Sequence, residues 1–513
     1  MRIRPRRSRS HPAAAAATAL LLGAGPGAAW AQLADPLQSA GAAQPEPPPA
    51  AAPPPQDLRA IQLELQALKA QQAATEARIE ALSRQVAIAS GQPARPPDVI
   101  HLPITNPPRS GVVGKSTPGP GYWGAHDGGK GFTVARTDVG ELNISGYLLG
   151  RYINQLPAHQ TFTDHLGRVH TIDPRNDIQM QRLMLWVRGW IFTPKLRFDT
   201  TSWAVNSTEQ ATLVGSITYE FNKAVTLGVG IQRNQGSQTM HFNHPYWFAP
   251  DRVMADEYFR PGFASGVFVT GEPAPGLRYY AAIAPSLSQL GVNASQFTRD
   301  KAYSASIWWM PTTHEFGPKE GFGDFEHHEK LATLFSAAYV QHRADRFSQP
   351  SLDAPDNTQI RISDSLLLFE PDALAPGVTV QKADYRLASL AANFKYKGFA
   401  FHSEGYWRKL SDFDADGPLP LDTIVDTGFY IQMGYMVVPK TLEMYLSTSQ
   451  IFGEFNNASE YIVGFNWFPF NTRNARMNFQ FIDVNRSPAS SLFGYYVGGQ
   501  RGQTLSVAMD LIY

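Results

Sequence analysis

Four arginines lie on the polar faces of strands predicted near the start of the folded part of the chain. In one of these strands the apolar face consists of Leu183, Leu185, Val187 and Ile191. Because side chains alternate between the two faces of a strand, Arg182 and Arg188 lie together on the opposite face. The same alternation places Arg151 and Arg197 of the neighbouring strands on that face. Guanidinium groups stay protonated and hold carboxylates or phosphates bidentately, so this stripe suits small anions.

Acidic residues offset the stripe in part. Asp199 lies on the same face, and Glu404, Asp426 and Glu443 in later strands are also predicted to point inward. Such an arrangement would set up a transverse electric field across an enclosed space. The alternative is that the arginines are only hydrated or are paired with acids, in which case they carry no selectivity.

Other clusters of reactive side chains are weaker candidates. The run Glu326 to Glu329 contains two histidines, but neighbouring residues in a turn seldom converge on one ion, so a solvated turn is favoured. The same holds for His165, His170 and Asp173. We therefore expect no metal and no cofactor. Since the chain also lacks a Gly-x-Ser-x-Gly motif, we do not expect an enzyme, and an outer-membrane barrel hydrolase is kept as an alternative.

Alternation with a period of two continues from about residue 139 to the C-terminus. It predicts about sixteen antiparallel strands, an even number that fits a single-chain transmembrane barrel. Charged residues make up 17% of the chain and aromatic residues 12%. The predicted strands are 139–154, 177–192, 194–205, 211–220, 223–232, 262–271, 275–284, 302–311, 330–342, 383–394, 397–409, 425–438, 441–451, 460–468, 475–484 and 503–513.

The connections between these strands alternate between tight turns and long loops, as they do in outer-membrane barrels. One connection, from Pro311 to Glu329, is long where a short turn is due, so either it is an elaborated turn or the count is off by a hairpin. In the last strand Leu505, Val507, Met509, Leu511 and Tyr513 share one face. An apolar face closed by an aromatic residue is typical of the terminal strand of such barrels, although a half-buried strand of a soluble sheet would show the same alternation.

The N-terminal part of the chain has a different composition. Residues 1–31 are predicted to be a secretory signal peptide, with an arginine-rich start and the cleavage site Ala29-Trp30-Ala31. An Ala/Pro-rich tether over 32–56 and a Pro/Gly-rich linker over 91–130 flank a predicted coiled coil at 57–90. A helix lying against the barrel or the cell wall is the alternative for this last segment. The barrel itself is predicted for residues 131–513.

The net charge and the cysteine content restrict the binding partners and the cellular location that we expect. With the signal peptide, five of the 44 basic residues would leave and 39 would remain against 44 acidic ones, so strong basicity and nucleic-acid binding are not expected. The absence of cysteine fits an exported protein. We expect a bacterial outer-membrane protein with a periplasmic N-terminal segment and membrane lipids as partners.

Several short motifs, in this order, resemble the phosphate-selective porins of Gram-negative outer membranes. They are Gly131-Phe132-Thr133, Gln181-Arg182-Leu183, Tyr219-Glu220-Phe221, Phe259-Arg260-Pro261-Gly262 and Gly266-Val267-Phe268-Val269-Thr270-Gly271. The resemblance implies a trimer of water-filled, sixteen-stranded barrels whose third loop folds inward as a constriction. In this chain that loop has Arg233, Arg252 and Arg260 against Asp251, Asp256 and Glu257, so it is not a basic ring. The family's phosphate ligands are therefore not carried over.

The function expected from the sequence is passive diffusion of small hydrophilic solutes, and the arginine stripe favours anions such as phosphate or carboxylates among them. Arg151, Arg182, Arg188, Arg197 and Asp199 are predicted to line the pore, and Arg233, Arg252 and Arg260 to belong to the constriction loop. An envelope tether that acts through the coiled coil is a further alternative. The aromatic residues of the third loop, such as Trp247 and Phe248, could stack on sugars or fix the loop to the wall, and packing is favoured.

Overall fold

A computed structural model describes residues 126–127, 130–205, 210–241, 246–290, 292–297, 299–350, 358–491 and 494–513. These residues belong to one compact unit, Gly114–Tyr513. The predicted signal peptide, tether and coiled coil, and nearly all of the predicted linker, lie outside the described residues.

Sixteen of the described strands form one closed antiparallel sheet, in which each strand pairs with the next along the chain and the last pairs with the first. Closure satisfies every strand edge and leaves an enclosed lumen. The strands of the barrel are β3 (Gly140–Leu156), β6 (Asn176–Ile191), β7 (Thr193–Val205), β8 (Gln210–Asn222), β9 (Val225–Arg233), β10 (Phe263–Ala274), β11 (Leu277–Ala284), β12 (Ala302–Trp309), β13 (Ala332–Asp345), β14 (Val380–Tyr396), β15 (Phe399–Ala415), β16 (Thr423–Val438), β17 (Leu442–Phe452), β18 (Asn457–Trp467), β19 (Ala475–Asn485) and β20 (Gly502–Ile512).

Shorter elements lie outside this series. The strand pair β1 (His126–Asp127) and β2 (Gly131–Arg136) precedes the barrel, and the hairpin of β4 (Gln160–Thr163) and β5 (Val169–Ile172) lies in the first long loop. One α-helix, α1 (Met254–Phe259), interrupts the third loop. Single 3-10 turns occur at Gln238–Met240, Ala294–Gln296, Pro318–Glu320 and Arg346–Ser348. Among the described residues, none of the helices is both long and apolar enough to cross a membrane.

The seam of the barrel is made by both ends of the sheet. β20 pairs with β3 from Tyr147 to Leu156, and β2 pairs with the rest of that strand, from Glu141 to Ile144. Since β6 occupies the other edge of β3, β2 and β20 must share this edge, one after the other. Tyr513 closes the seam, because its backbone N–H and C=O both bond to Gly146. A Cβ at Gly146 would overlap the Tyr513 ring.

The outer surface of the barrel is apolar, and the inner face carries the polar side chains. In β20, Leu505 is 48% exposed and Met509 58% exposed, whereas Thr504 and Ser506 are completely buried on the inside. The same division holds in β6, where Leu183 and Leu185 point outward while Arg182 lies inside. This is the alternation predicted from the sequence.

Exposed aromatic rings mark both rims of the barrel. We call the end with the short connections the turn rim, and the opposite end the loop rim. Aromatic side chains exposed at the turn rim are Phe221, Trp309, Tyr396, Tyr435 and Trp467, and those toward the loop rim are Tyr303, Tyr339, Trp407, Phe452 and Tyr461. Two such girdles around an apolar band are typical of transmembrane barrels.

Each predicted strand corresponds to an observed one, with ends that differ by a few residues. The long connection from Pro311 to Glu329 is an elaborated turn, so the strand count was not off by a hairpin. The helix α1 and the hairpin β4–β5 were not predicted, because such short segments carry too little periodicity to stand out.

Candidate functional site

The connection between β9 and β10, residues 234–262, folds into the lumen and is here named the inner loop. Its described residues are almost all buried. The wall holds its first part by hydrogen bonds: the backbone N–H of Gln238 donates to Glu404 at 3.0 Å, and Asn466 Nδ2 donates to the carbonyl of Phe248 at 2.9 Å. Arg476 Nη1 donates to the carbonyl of Trp247 at 2.7 Å. Buried backbone groups need such partners, and here strands β15, β18 and β19 supply them.

The helix α1 is bound to the same wall. The N–H of Met254 donates to Glu460 Oε2 at 2.9 Å, and the N–H of Ala255 donates to Ser449 Oγ at 2.8 Å. The hydroxyl of Tyr258 donates to Asp426 Oδ2 at 2.9 Å. The first two of these bonds satisfy N–H groups at the start of the helix, which lack partners within it. The inner loop therefore covers the lumen face of β14 to β19.

Two glycines of β16 make room for aromatic side chains of the inner loop. A Cβ at Gly434 would overlap the ring of Phe248, and a Cβ at Gly428 would overlap the ring of Phe259. Both phenylalanines are completely buried. Phe248 and Phe259 of the inner loop thus pack against the wall.

Asp251 ties the middle of the inner loop to the opposite side of the barrel. Its carboxylate accepts from Arg151 Nη1 and from Arg182 Nη2, each at 2.5 Å. Arg182 also donates to the carbonyl of Pro250 at 3.3 Å. Arg151 and Arg182 are each 1% exposed. These two predicted pore-lining residues do face inward, but they contact the inner loop instead of open space.

The remaining predicted pore-lining residues lie on a part of the wall that the loop leaves uncovered. The side chains of Arg188 and Asp199 are 34% and 38% exposed and form an ion pair across β6 and β7. Arg197 Nη2 lies 2.9 Å from Glu220 Oε2, with its side chain 58% exposed. By contrast, Glu404, Asp426 and Glu443 face inward as predicted but are buried beneath the loop.

The three arginines predicted for the constriction loop have different surroundings. Arg233 lies at the end of β9 with its guanidinium 5.2 Å from the centre of the Phe263 ring. Arg252 lies over Trp247 at 4.7 Å, with Asp256 Oδ2 3.4 Å from its Nε. The third, Arg260, is paired with Glu257 at 2.9 Å and is almost completely buried. Arg233 is thus the member of this set placed closest to the uncovered wall.

A cavity of about 220 Å³ lies where the inner loop faces the uncovered wall. Side chains from β6 to β10 line it together with Trp247 and Arg252 of the loop. Those that matter chemically are Trp186, Arg188, Asp199, Gln232, Arg233 and Phe263. Lys319 of the long turn lies nearby, and its pKa is lowered first by desolvation and then by the positive charge of Arg188.

The long turn of residues 311–331 also folds into the lumen, from the turn rim. Phe316 and Phe322 are completely buried, and the Phe322 ring stacks on His402 with 4.1 Å between centres. The N–H of Phe322 donates to the carbonyl of Tyr246 at 2.6 Å, so the turn meets the inner loop inside the barrel. Lys395 Nζ donates to the carbonyl of Phe316 at 2.8 Å. This contact between two inserted segments could not be foreseen from the strand pattern.

The run Glu326 to Glu329, for which the sequence favoured a solvated turn over a metal site, belongs to this turn. No group of three metal-binding side chains occurs among the described residues. Instead, His328 Nδ1 pairs with Asp324, and its Nε2 lies 3.2 Å from Glu315 Oε1. The hydrogen bond to Asp324 raises the pKa of His328 against the opposing effect of burial. Burial would raise the pKa of Asp324, but hydrogen bonds from His328 and from the Gly398 backbone bring it below the ordinary value.

These shifts predict that the long turn opens as the pH rises. A histidine whose pKa is raised on folding stabilises the fold fully below about pH 6.5, the ordinary value, and that contribution disappears as the pH rises through the folded pKa. The Asp324 contribution is lost only in stronger acid, as the pH falls through its lowered pKa. We expect trypsin cleavage after Lys319 to increase by up to about tenfold between pH 6 and pH 9.

Cleavage after Lys223, in a tight turn at the same rim, is the internal control for the pH dependence of trypsin itself. In the variant His328→Gln the ratio of the two cleavage rates should no longer depend on pH. A pH-dependent ratio in that variant would assign the opening to other groups.

Comparisons with known proteins give structural matches only. No protein-family model matches the chain, and no curated protein matches it. Among solved structures it is similar to the outer-membrane OmpT of Vibrio cholerae, with a TM-score of 0.47 and 10% identity over 74% of this chain and 99% of that one. It is also similar to an anion-selective porin from Comamonas acidovorans, with a TM-score of 0.45 and 12% identity over 73% of this chain and 100% of that one. The outer membrane channel DcaP of Acinetobacter baumannii matches with a TM-score of 0.43 and 9% identity over 74% of this chain and 99% of that one.

Proposed function

We propose that the protein is an outer-membrane porin through which small hydrophilic solutes diffuse passively along one side of the lumen. The observation that carries the proposal is the uneven covering of the inner wall. Charged groups on β15 and β16, such as Arg408 and Asp426, are buried under the inner loop, whereas Arg188, Arg197 and Asp199 on β6 and β7 keep a third or more of their side chains exposed. Charged side chains at an uncovered wall are what a water-filled passage needs.

The outer surface supports placement in a membrane. Water-soluble proteins rarely expose wide continuous apolar patches, because such patches drive association. Here the outward residues of successive strands are large and apolar, for example Leu213 at 68% exposed and Leu390 at 70%. Lipid chains would cover this band, and the aromatic girdles would lie at its two interfaces. The turn rim would then face the periplasm.

The proposed oligomeric state and ion preference rest on the sequence. The motifs that resemble phosphate-selective porins favour a trimer and a mild preference for anions. The pairing of Arg188 with Asp199 and of Arg260 with Glu257 reduces the net positive charge available for tight phosphate binding. We therefore favour a moderate anion preference over phosphate specificity. In this proposal Arg151 and Arg182 fix the inner loop, and Arg188, Arg197, Asp199 and Arg233 face the solute.

Planar-bilayer recording tests the proposed function. The refolded barrel, identified by its heat-modifiable migration in gels, should add stepwise ohmic conductance in potassium chloride, and proteoliposomes should swell in isotonic solutions of small sugars. The same amount of boiled protein is the control. A folded barrel that neither conducts ions nor admits sugars would contradict the proposal and would favour a role as an envelope anchor.

A further inference from the structure

The cavity beside the inner loop combines aromatic rings with guanidinium groups. The guanidinium carbon of Arg188 lies 5.0 Å from the centre of the Trp186 ring, and that of Arg233 lies 5.2 Å from the Phe263 ring. Cations stacked on rings in this way form flat surfaces with hydrogen-bond donors at their edges. Such a surface suits a planar solute that carries an acceptor group at its rim.

The charges around the cavity favour an anion over a neutral sugar. Its lining includes three guanidinium groups, those of Arg188, Arg233 and Arg252, and one carboxylate, that of Asp199. Asp256 lies beside the lining, 3.4 Å from Arg252, so the arginines still outnumber the carboxylates by three to two. Lys319 is a further basic group close by, because desolvation lowers its pKa most and the charges of Arg188 and Arg233 act on it and lower its pKa further. A neutral sugar would gain from ring stacking but not from this excess of positive charge, whereas a carboxylate gains from both.

The size of the cavity limits the solute. A volume of about 220 Å³ corresponds to roughly seven water molecules, taking ~30 Å³ for each. This space accommodates a single aromatic ring with one short substituent. Gln232, near the end of β9, adds an uncharged amide to the lining, and its Nε2 donates to Ser216 Oγ at 2.8 Å.

We propose that this cavity is a binding subsite for planar, single-ring aromatic carboxylates. The ring packs against Trp186 and Phe263, and the carboxylate is oriented toward Arg188 and Arg233. The inference rests on the proposed porin function, because the cavity becomes a transport subsite only if solutes pass along the uncovered wall. It gives the channel a preferred solute class instead of a preference based on charge alone.

Benzoate is the probe, and acetate, cyclohexanecarboxylate and glucose are the comparators. Benzoate should reduce the single-channel potassium chloride current at concentrations about three- to tenfold lower than cyclohexanecarboxylate, since ring stacking adds to charge and shape. Acetate and glucose should block less than either. In the folded protein in detergent, benzoate should quench tryptophan fluorescence over the same concentration range.

Two variants probe the two halves of the subsite. Arg233→Gln should weaken benzoate block by about tenfold, the loss expected for one charge-assisted hydrogen bond. Trp186→Leu should remove the advantage of benzoate over cyclohexanecarboxylate, and Trp186→Phe serves in its place if the leucine variant does not fold. Arg168→Gln is the matched control, because it removes the same charge from a residue of the hairpin β4–β5 that lies outside the cavity lining. It should leave benzoate block unchanged.

Equal block by benzoate and cyclohexanecarboxylate in a conducting channel would overturn the subsite and leave the porin function intact. Unchanged block in Arg233→Gln would do the same. A folded barrel without conductance would instead remove the porin function, and the fluorescence titration would still decide whether the cavity binds benzoate.

Discussion

Asp251→Asn is expected to release the inner loop and to produce larger, noisier single-channel currents. The carboxylate of Asp251 forms ion pairs with two buried arginines, one in β3 and one in β6. These ion pairs link the inner loop to this side of the barrel. Removing one partner of a buried ion pair lowers the stability by about 3–5 kcal/mol, because the remaining charge stays buried. The middle of the loop should then withdraw toward the wall of β14 to β19 or fluctuate.

The matched control is Glu257→Gln, which removes one negative charge from the same loop but breaks a pair with Arg260 that does not cross the lumen. Conductance should change little in this control. Heat-modifiable migration must first show that both variants form barrels. If Asp251→Asn folds and conducts like the unmodified protein, the ion pair does not hold the constriction.

Ion selectivity is expected to shift in opposite directions when the two partners of the Arg188–Asp199 pair are neutralised. Asp199→Asn should raise the preference for anions, and Arg188→Gln should lower it. Each unit charge at contact distance in water is worth ~1 kcal/mol, so the permeability ratio should change by about a factor of five. Exposed charges far from the passage are screened, because the Debye length is about 10 Å at ~0.1 M salt.

Reversal potentials under a potassium chloride gradient measure this ratio. Arg168→Gln, in the hairpin loop between β4 and β5, changes the net charge equally but lies in a long loop at the loop rim. Its reversal potential should match that of the unmodified protein. Shifts of the same sign in Asp199→Asn and Arg188→Gln would exclude the uncovered wall as the selectivity determinant.

The strands of the barrel could be predicted because their side chains must alternate between lipid and lumen. A residue such as Leu505 has to be apolar and its neighbour Thr504 need not be, so the pattern survives in the sequence without any long-range information. The direction of Arg151, Arg182, Arg188 and Arg197 followed from the same rule. In the structure Arg151 and Arg182 contact the inner loop, and Arg188 lines the cavity beside it.

The alternation of side chains along a strand does not predict the path of the loops inside the lumen. Whether an inward arginine meets water or a loop depends on residues far away in sequence, and Asp251 lies 100 residues from Arg151. Asp251 was noted in the sequence only as a charge that offsets the loop arginines. One local signal did exist, since Gly428 and Gly434 are inward glycines in a strand, and a glycine there often marks the close approach of another segment.

The seam between β2, β3 and β20 makes the strand order of this barrel cyclic. The first and last strands lie end to end along one edge of β3, so the start of β2 and Tyr513 meet at the turn rim. The seam is held by the same backbone ladder as the junctions between strands that are adjacent in sequence. The architecture is therefore compatible with circular permutation: joining Tyr513 to the start of β2 and opening the chain in a long loop would keep every strand pair of the sixteen-stranded barrel and would lose the short β1–β2 pair.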